Sequence, residues 1–470
     1  MSSEVHVSTR SVIRLLAGWC VLVLMTGIAL PAAAQTPPAA QAPPAGQTPR
    51  AITLSEALTL AAQNNLTLKV AVFESQVARA QLAQIESVRS GTVVLTGSYT
   101  RINDRAGSTI TIPASPPTIP APLTITLPPT SSDLFSTAVT YQVPLVTGGR
   151  IESQIALAKA NLKGADAALE RAKQQLVFDV KQAYFQLLLA QASVDVAART
   201  MAAAEENLRV ARARVAAGAS PRFDEIQAEV NFANARQGVI RSRNADALAQ
   251  QALNAVTNLP LDTALAPRET MTMVTVRGEA PALIRRALET RPELAELRAR
   301  LEAATAAIEI AKAGGRPALV LSGGPNYGNA VSGSPTGAAA FGWSVTLAAT
   351  VPLFDGGLTA QRVREAQLRV EQLRIGEAQL RQAVELDVRR ALLTYGSAAE
   401  ELATADKTVE QAQEGLRIAN VRFAAGVSTN LEVIQAQAAQ SQAEANRILA
   451  LFNVNVARAQ LERAAGGPVE

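Results

Sequence analysis

Two long stretches of this chain contain no proline, one between Pro144 and Pro221 and the other between Pro352 and Pro468. In the first, small or apolar residues recur at alternating steps of three and four: Ile155, Ala158, Leu162, Ala165, Leu169, Ala172 and Leu176. After one step of four to Val180 the rhythm resumes at Ala183, Leu187 and Ala190 and continues to Val215. The second stretch carries the same rhythm through Val363, Ala366, Val370 and Leu373, and again from Ala391 and Tyr395 to Phe423, with Glu377 interrupting it. This spacing is a coiled-coil seam, and alanine at every seventh position lets helix axes approach closely. A helix from Gly149 to Ala217 would be about 100 Å long at 1.5 Å per residue. No ordinary globular core needs such a helix.

The two stretches belong to a duplication. Val93-Val94-Leu95-Thr96-Gly97 matches Leu319-Val320-Leu321-Ser322-Gly323, and Ala61 matches Ala287, at an offset of 226. Val143-Pro144-Leu145 with Gly148-Gly149 matches Val351-Pro352-Leu353 with Gly356-Gly357, and Ala216-Ala217-Gly218 matches Ala424-Ala425-Gly426, at an offset of 208. The difference places 18 extra residues in the first copy, within the Pro/Thr/Ser-rich stretch Ile110 to Thr130. That stretch reads as an exposed loop. Each copy runs helix, short strand, loop, strand, very long helix, tight turn, helix. The expected segments are a first repeat over 51–257, a linker over 258–280, a second repeat over 281–465 and a tail over 466–470.

The strands alternate. Phe135, Thr137, Val139, Tyr141 and Val143 interleave with Ser136, Ala138, Thr140 and Gln142, and Trp343, Val345, Leu347, Ala349 and Val351 with Ser344, Thr346, Ala348 and Thr350. Strands of 9–11 residues with one apolar and one polar face suit a transmembrane barrel. Phe135, Phe341 and Trp343 stand near the loop end, where aromatics mark a lipid interface. A small amphipathic sheet packed on the helices fits the pattern as well. Four strands cannot close a barrel, and open edges are not tolerated in lipid. A membrane setting therefore demands several copies, with eight strands from two chains or twelve from three.

The N-terminus reads as an export signal over 1–34. Arg10 and Arg14 precede an apolar run from Leu15 to Leu30, and Ala32-Ala33-Ala34 offers a cleavage site before Gln35. Residues 35–50 form a Pro-rich leader. Cys20 follows Trp19 rather than a small residue, which argues against lipid attachment. The only His and the only Cys, His6 and Cys20, both lie in the signal. An exported chain without either has no disulfide, no Cys nucleophile, no His-based triad and no His or Cys zinc ligand. With 44 basic and 40 acidic residues interspersed, no basic stripe points to nucleic acid.

The turn motifs carry a resemblance. Arg214-Val215-Ala216-Ala217-Gly218 leads to Asp224-Glu225-Ile226-Gln227-Ala228, and Arg422-Phe423-Ala424-Ala425-Gly426 leads to Leu431-Glu432-Val433-Ile434-Gln435-Ala436. Together with the doubled Val-Pro-Leu…Gly-Gly junctions, this plan resembles the TolC outer-membrane efflux family over about 51–465. The resemblance implies a mainly α fold with a transmembrane β-barrel: a homotrimer whose twelve-stranded barrel in the outer membrane continues as an α-helical barrel through the periplasm. It implies partners in outer-membrane lipid, a periplasmic adaptor and an inner-membrane pump, with no cofactor and no catalysis. Asp224 and Glu432, each six residues beyond its turn Gly, would ring the pore entrance. Ala217, Gly218, Ala219, Gly426, Val427 and Ser428 would face the adaptor. Phe423 and Ser428 stand where some relatives hold a Tyr and an Arg that lock the entrance, and Arg222 is a candidate replacement. A periplasmic coiled-coil adaptor or structural protein is the competing reading, and an enzyme using only carboxylates a third. Both carboxylates also suit plain helix-start positions, where the helix dipole favours them.

Overall fold

The computed structural model describes residues 50–469 apart from 106–107, 116–117, 119–120, 128–129, 277 and 330–338. The expected signal and nearly all of the expected leader lie outside the described residues. In chain order the elements are β1 (Arg50–Ile52), α1 (Leu54–Asn64), α2 (Leu66–Ser87), β2 (Thr92–Arg105), β3 (Ser108–Ile112), β4 (Leu123–Leu127), β5 (Thr130–Val146), α3 (Arg150–Ala216) and α4 (Arg222–Thr257). Then follow β6 (Leu265–Pro267), α5 (Ala280–Thr290), α6 (Pro292–Ala313), β7 (Ala318–Gly328), β8 (Ala340–Thr350), α7 (Leu358–Ala424) and α8 (Asn430–Ala464).

The duplication is geometric as well as textual. The helices α3 and α7 are each 67 residues long, start 208 positions apart, and follow a glycine at φ +87°. Two residues ahead of each glycine a side chain caps the helix. Thr147 accepts from the Ile151 amide at 3.3 Å. Its counterpart Asp355 accepts from the amides of Gly357 and Thr359 at 2.9 and 2.8 Å. Hydrogen bonds from Thr359 and from these amides hold the Asp355 carboxyl below its ordinary range.

The helix expected before the first strand is two helices. Asn65 (φ −58°, ψ 127°) ends α1, and its side-chain oxygen accepts from the Leu68 amide to start α2. Its amide nitrogen reaches across to the Val256 carbonyl at 2.9 Å. In the second copy Arg291 separates α5 from α6, and its Nε donates to the Ala464 carbonyl at 2.8 Å. Val256 and Ala464 are again 208 apart. In each copy the break residue thus satisfies an orphan carbonyl at the end of the last helix.

The helices pack as a single row. Along the strand-proximal half the order is α2, α3, α6, α7, and along the other half it is α4, α3, α8, α7. On this row sit two small lobes, each with its own core. One contains β1, β6 and α1, with Ile52, Ala57, Ala61 and Leu265 buried against Val180, Tyr184, Leu187 and Leu253. The other contains α5, with Leu283 and Ala287 buried against Val384, Val388, Tyr395 and Leu461. Val180 and Val388, and Leu253 and Leu461, are equivalent positions. Two Tyr hydroxyls stitch the lobes to the row: Tyr184 donates to the Ile52 carbonyl at 3.3 Å, and Tyr395 to the Val274 carbonyl at 3.0 Å.

The strands form one antiparallel sheet in the order β2-β5-β7-β8. The 18-residue insertion is not the structureless loop that its Pro, Thr and Ser content suggests. It carries β3 and β4, paired antiparallel from Ser108↔Leu127 to Ile112↔Leu123. The Thr/Ile alternation of Ser108-Thr109-Ile110-Thr111-Ile112 is the strand signal that proline-rich surroundings hid.

A two-stranded ribbon adds little stability alone, and shortening a loop costs little entropy. Replacing Ser108–Leu127 by a short Gly-Asn turn therefore leaves the thermal midpoint within about 3 °C. Circular dichroism melts check this, and a larger loss means that the ribbon holds the sheet. A second expectation concerns Tyr184. Burial, reinforced by the charge of Glu269, pushes its hydroxyl up to about 12. Above pH ~10 the unfolded chain ionises this group while the folded chain keeps its proton. Stability contributed by Tyr184 is therefore lost between pH about 10 and about 12. The variant Tyr184→Phe melts lower at neutral pH but shows a shallower alkaline decline, read as thermal midpoint against pH.

Candidate functional site

Two regions can perform work, the sheet and the helix turns at the far end of the row. In the sheet, directly opposed residues share a face. Val93 faces Tyr141, Leu95 faces Val139, and Tyr99 faces Phe135. The same face continues through Tyr141↔Gly323↔Val345 and Thr137↔Tyr327↔Phe341. Leu347, Val345 and Trp343 complete it, and Trp343 is 75% exposed. The opposite face carries Thr96, Ser98, Ser136, Thr140, Ser322, Ser344 and Thr346, with Ser98 and Ser136 hydroxyls 2.9 Å apart. Greasy on one face and hydroxylated on the other, this sheet can separate lipid from water. The alternative of an apolar face packed on helices does not hold, because that face is open.

Aromatics collect at one level of the apolar face: Tyr99, Phe135, Tyr327, Phe341 and Trp343. The Phe135 and Tyr327 rings lie 6.1 Å apart. Such bands mark membrane–water boundaries. The alternation of Val93, Leu95, Gly97 and Tyr99 already marks Tyr99, whereas Tyr327 escapes the sequence pattern and register alignment recovers it. Among the described residues no helix is long and apolar enough to cross a membrane.

At the other end the two turns are built alike. The Ala219 amide donates to the Arg214 carbonyl and the Gly218 amide to the Val215 carbonyl, at 2.8 and 3.0 Å. Val427 and Gly426 make the same pair to Arg422 and Phe423, at 3.0 and 3.1 Å. These are Schellman closures, which need a left-handed residue at the glycine. Gly218 and Gly426 supply it at φ +71° and +72°. A Cβ at either would meet nothing within 4 Å. Conformation, not crowding, therefore requires glycine there. Ala217, Gly218, Ala219, Gly426 and Val427 are exposed, whereas Ser428 is half-buried.

Asp224 and Glu432 occupy the third residue of α4 and of α8, both half-buried. Their settings differ. Glu432 lies 3.5 Å from Arg422, while Asp224 makes no ion pair with another described residue. The contact that joins the turns involves neither carboxylate. Arg214 stacks on the Phe423 ring, with the guanidinium carbon 4.0 Å from the centroid, and donates to the Phe423 carbonyl at 3.3 Å. Stacking of this kind stabilises by about 0.5–2 kcal/mol. The guanidinium beside Phe423 is thus that of Arg214, not Arg222, which is exposed. Sequence reasoning missed Arg214, although its repetition as Arg422 was a signal. Asn430, the first residue of α8, is 2% exposed, and neither amide atom is hydrogen-bonded to another described residue. Among the described residues no cluster of His, Cys, Asp and Glu could hold a metal ion.

Relatives share this architecture. The chain is 26% identical over 346 residues to the outer membrane protein TolC of Vibrio cholerae, covering 72% of this chain and 78% of that one. It is 26% identical over 306 residues to the alkaline protease secretion protein AprF of Pseudomonas aeruginosa, covering 64% of this chain and 63% of AprF, just under two thirds of that protein. Among solved structures, VceC of Vibrio cholerae superposes with a TM-score of 0.71 at 19% identity, over 89% of this chain and 97% of VceC. The open-state MtrE channel of Neisseria gonorrhoeae gives 0.71 at 21% identity, over 88% and 89%. The profile described as outer membrane efflux protein matches residues 57–259 and 283–467, one segment for each copy. With both copies matched, and with a sheet and helix row of this form, the chain belongs to the outer membrane efflux protein family and is an outer-membrane channel subunit.

Proposed function

We propose that three copies close into a duct that carries small molecules or proteins across the periplasm and the outer membrane. One observation carries this reading: the sheet and the helix row end on the same two sides. The edge strands are β2 and β8, which lead from α2 and into α7. Neighbours along β2-β5-β7-β8 are antiparallel, so β8 of one copy meets β2 of the next antiparallel as well. Head-to-tail contacts of this kind close into a ring. Three copies give twelve strands, an even number within the range of such barrels.

The helices support the same contact. Although α3 and α7 are equivalent, α3 has 15 buried residues and α7 only 8. In the row α3 has neighbours on both sides and α7 lacks one. Its exposed Leu368, Ile375, Leu386 and Leu393 follow steps of seven and eleven, which is seam spacing. The exposed Leu66, Val70, Phe73 and Val77 of α2 follow steps of four and three. These two stripes suit each other across the gap between copies. A charge placed there would be buried without a partner, at a cost of several kcal/mol. The double variant Phe73→Glu/Ile375→Glu is expected to lose the trimer by native mass spectrometry. Retention of a full trimer would mean that another surface joins the copies.

At the far end the turns would form the duct's entrance and meet a periplasmic adaptor, itself coupled to an inner-membrane pump. Asp224 and Glu432 would supply six carboxylates to the trimer mouth. Because Arg422 offsets Glu432, Asp224 is the stronger contributor to the field there. No catalytic step is assigned to the chain. In planar bilayers the channel is expected to prefer K⁺ over Cl⁻, and Asp224→Ala/Glu432→Ala to reduce that preference about threefold and to relieve divalent block. Asp224→Ala alone gives most of the effect. Unchanged selectivity in the double variant would reduce both to solvated helix-start charges. For the adaptor surface, Gly426→Val is expected to lower efflux while trimer level stays within about twofold of wild type, read by immunoblot and dye export. Equal loss of protein would make the turn purely structural.

A further inference from the structure

A cavity of about 330 Å³ opens where α3 passes α8, and the tail residues Gly467 and Pro468 close one side. Its size falls at the lower end of small-molecule sites. Val177, Phe178, Ala459 and Pro468 give it an apolar body, and Lys173, Lys181 and Arg463 bring three cations. Its walls are anchored. Arg286 donates to the Pro468 carbonyl at 2.8 Å, and Lys181 is ion-paired with Glu462 across the two helices.

The charges around the cavity are not evenly matched. Glu462 is shared between Lys181 and Arg458, which lies 3.2 Å away. Lys173 pairs with Glu170 at 2.6 Å. Arg463 is the one lining cation without a carboxylate partner among the described residues. Its guanidinium lies over the Phe178 ring, 5.6 Å from the centroid, which aligns a charge with an apolar wall.

We propose that this cavity binds a small amphipathic organic anion, with a flat apolar body against Phe178, Val177 and Pro468 and a carboxylate on Arg463. Phe178 sets the shape and Arg463 the charge requirement. The aliphatic part of Lys173 flanks the mouth, and its ammonium adds attraction.

Naphthalene-2-carboxylate and the neutral naphthalene-2-carboxamide differ in the feature that matters. Equilibrium dialysis against the chain in lipid nanodiscs, with empty nanodiscs subtracted, is expected to give one carboxylate site per chain, at least about tenfold tighter than the amide. Arg463→Gln brings the acid down to the level of the amide, Arg463→Lys stays within about threefold of wild type, and Phe178→Ala weakens both ligands about tenfold. A thermal midpoint within about 2 °C of wild type verifies that each variant is folded. If Arg463→Gln does not fold, Lys173→Gln is expected to weaken the acid alone. Equal binding of acid and amide overturns the proposal, as does binding indifferent to both Arg463→Gln and Lys173→Gln.

Discussion

A β-sheet in lipid cannot leave its edges open, because no water is present to satisfy the backbone groups along them. This chain has two such edges, the outer sides of β2 and β8, of 14 and 11 residues. An apolar face broad enough for a membrane and two unpaired edges cannot coexist in a finished molecule. The same rule shapes the helices. Each edge strand is joined to an edge helix, so whatever pairs β8 must also lie beside α7. In the proposed ring, sheet closure and helix-barrel closure would be one event with two surfaces, with the exposed seams on α2 and α7 as its helical half.

The duplication makes this economical. In the first copy the junction into α3 is clamped internally: Arg316 donates to the Gly148 carbonyl at 3.0 Å. In the second copy a Cβ built on the matching Gly356 or Gly357 would meet nothing within 4 Å, and Leu353 and Phe354 beside them are 94% and 91% exposed. Equivalent sequence has partners in one copy and lacks them in the other. In the proposed ring the next molecule would supply that missing partner. The chain thus displays, inside itself, a version of the contact proposed between copies.

Legibility followed periodicity. The lengths of α3 and α7, their shared register, the strand faces and the turn glycines were all readable, because seven-residue and two-residue repeats leave strong traces over long runs. The Asn65 break was not readable. One residue ends a helix there through its own φ and ψ and a carbonyl 191 positions away, and no local pattern announces such a partner. The β3–β4 ribbon was obscured because prolines flank ten well-formed strand residues. At the turns, position was legible and pairing was not. Asp224 and Glu432 stand at matching helix positions, yet only Glu432 has an arginine beside it.

That last difference has a structural logic. Elsewhere many contacts recur in both copies, from Val180 and Val388 in the cores to the carbonyls of Val256 and Ala464. At the turns the same residue type in the same position does two jobs. Arg214 reaches sideways onto Phe423 of the other turn, whereas Arg422 stays with Glu432 of its own. The choice follows from a single aromatic. Phe423 offers a ring to stack on, and its counterpart in the first copy, Val215, offers none. One turn therefore holds the other, and the reverse bond has nothing to form on. With Phe423 in only one turn of the pair, the cross-turn contact runs one way, from Arg214 to Phe423, and in the proposed duct this asymmetry would lie at its mouth.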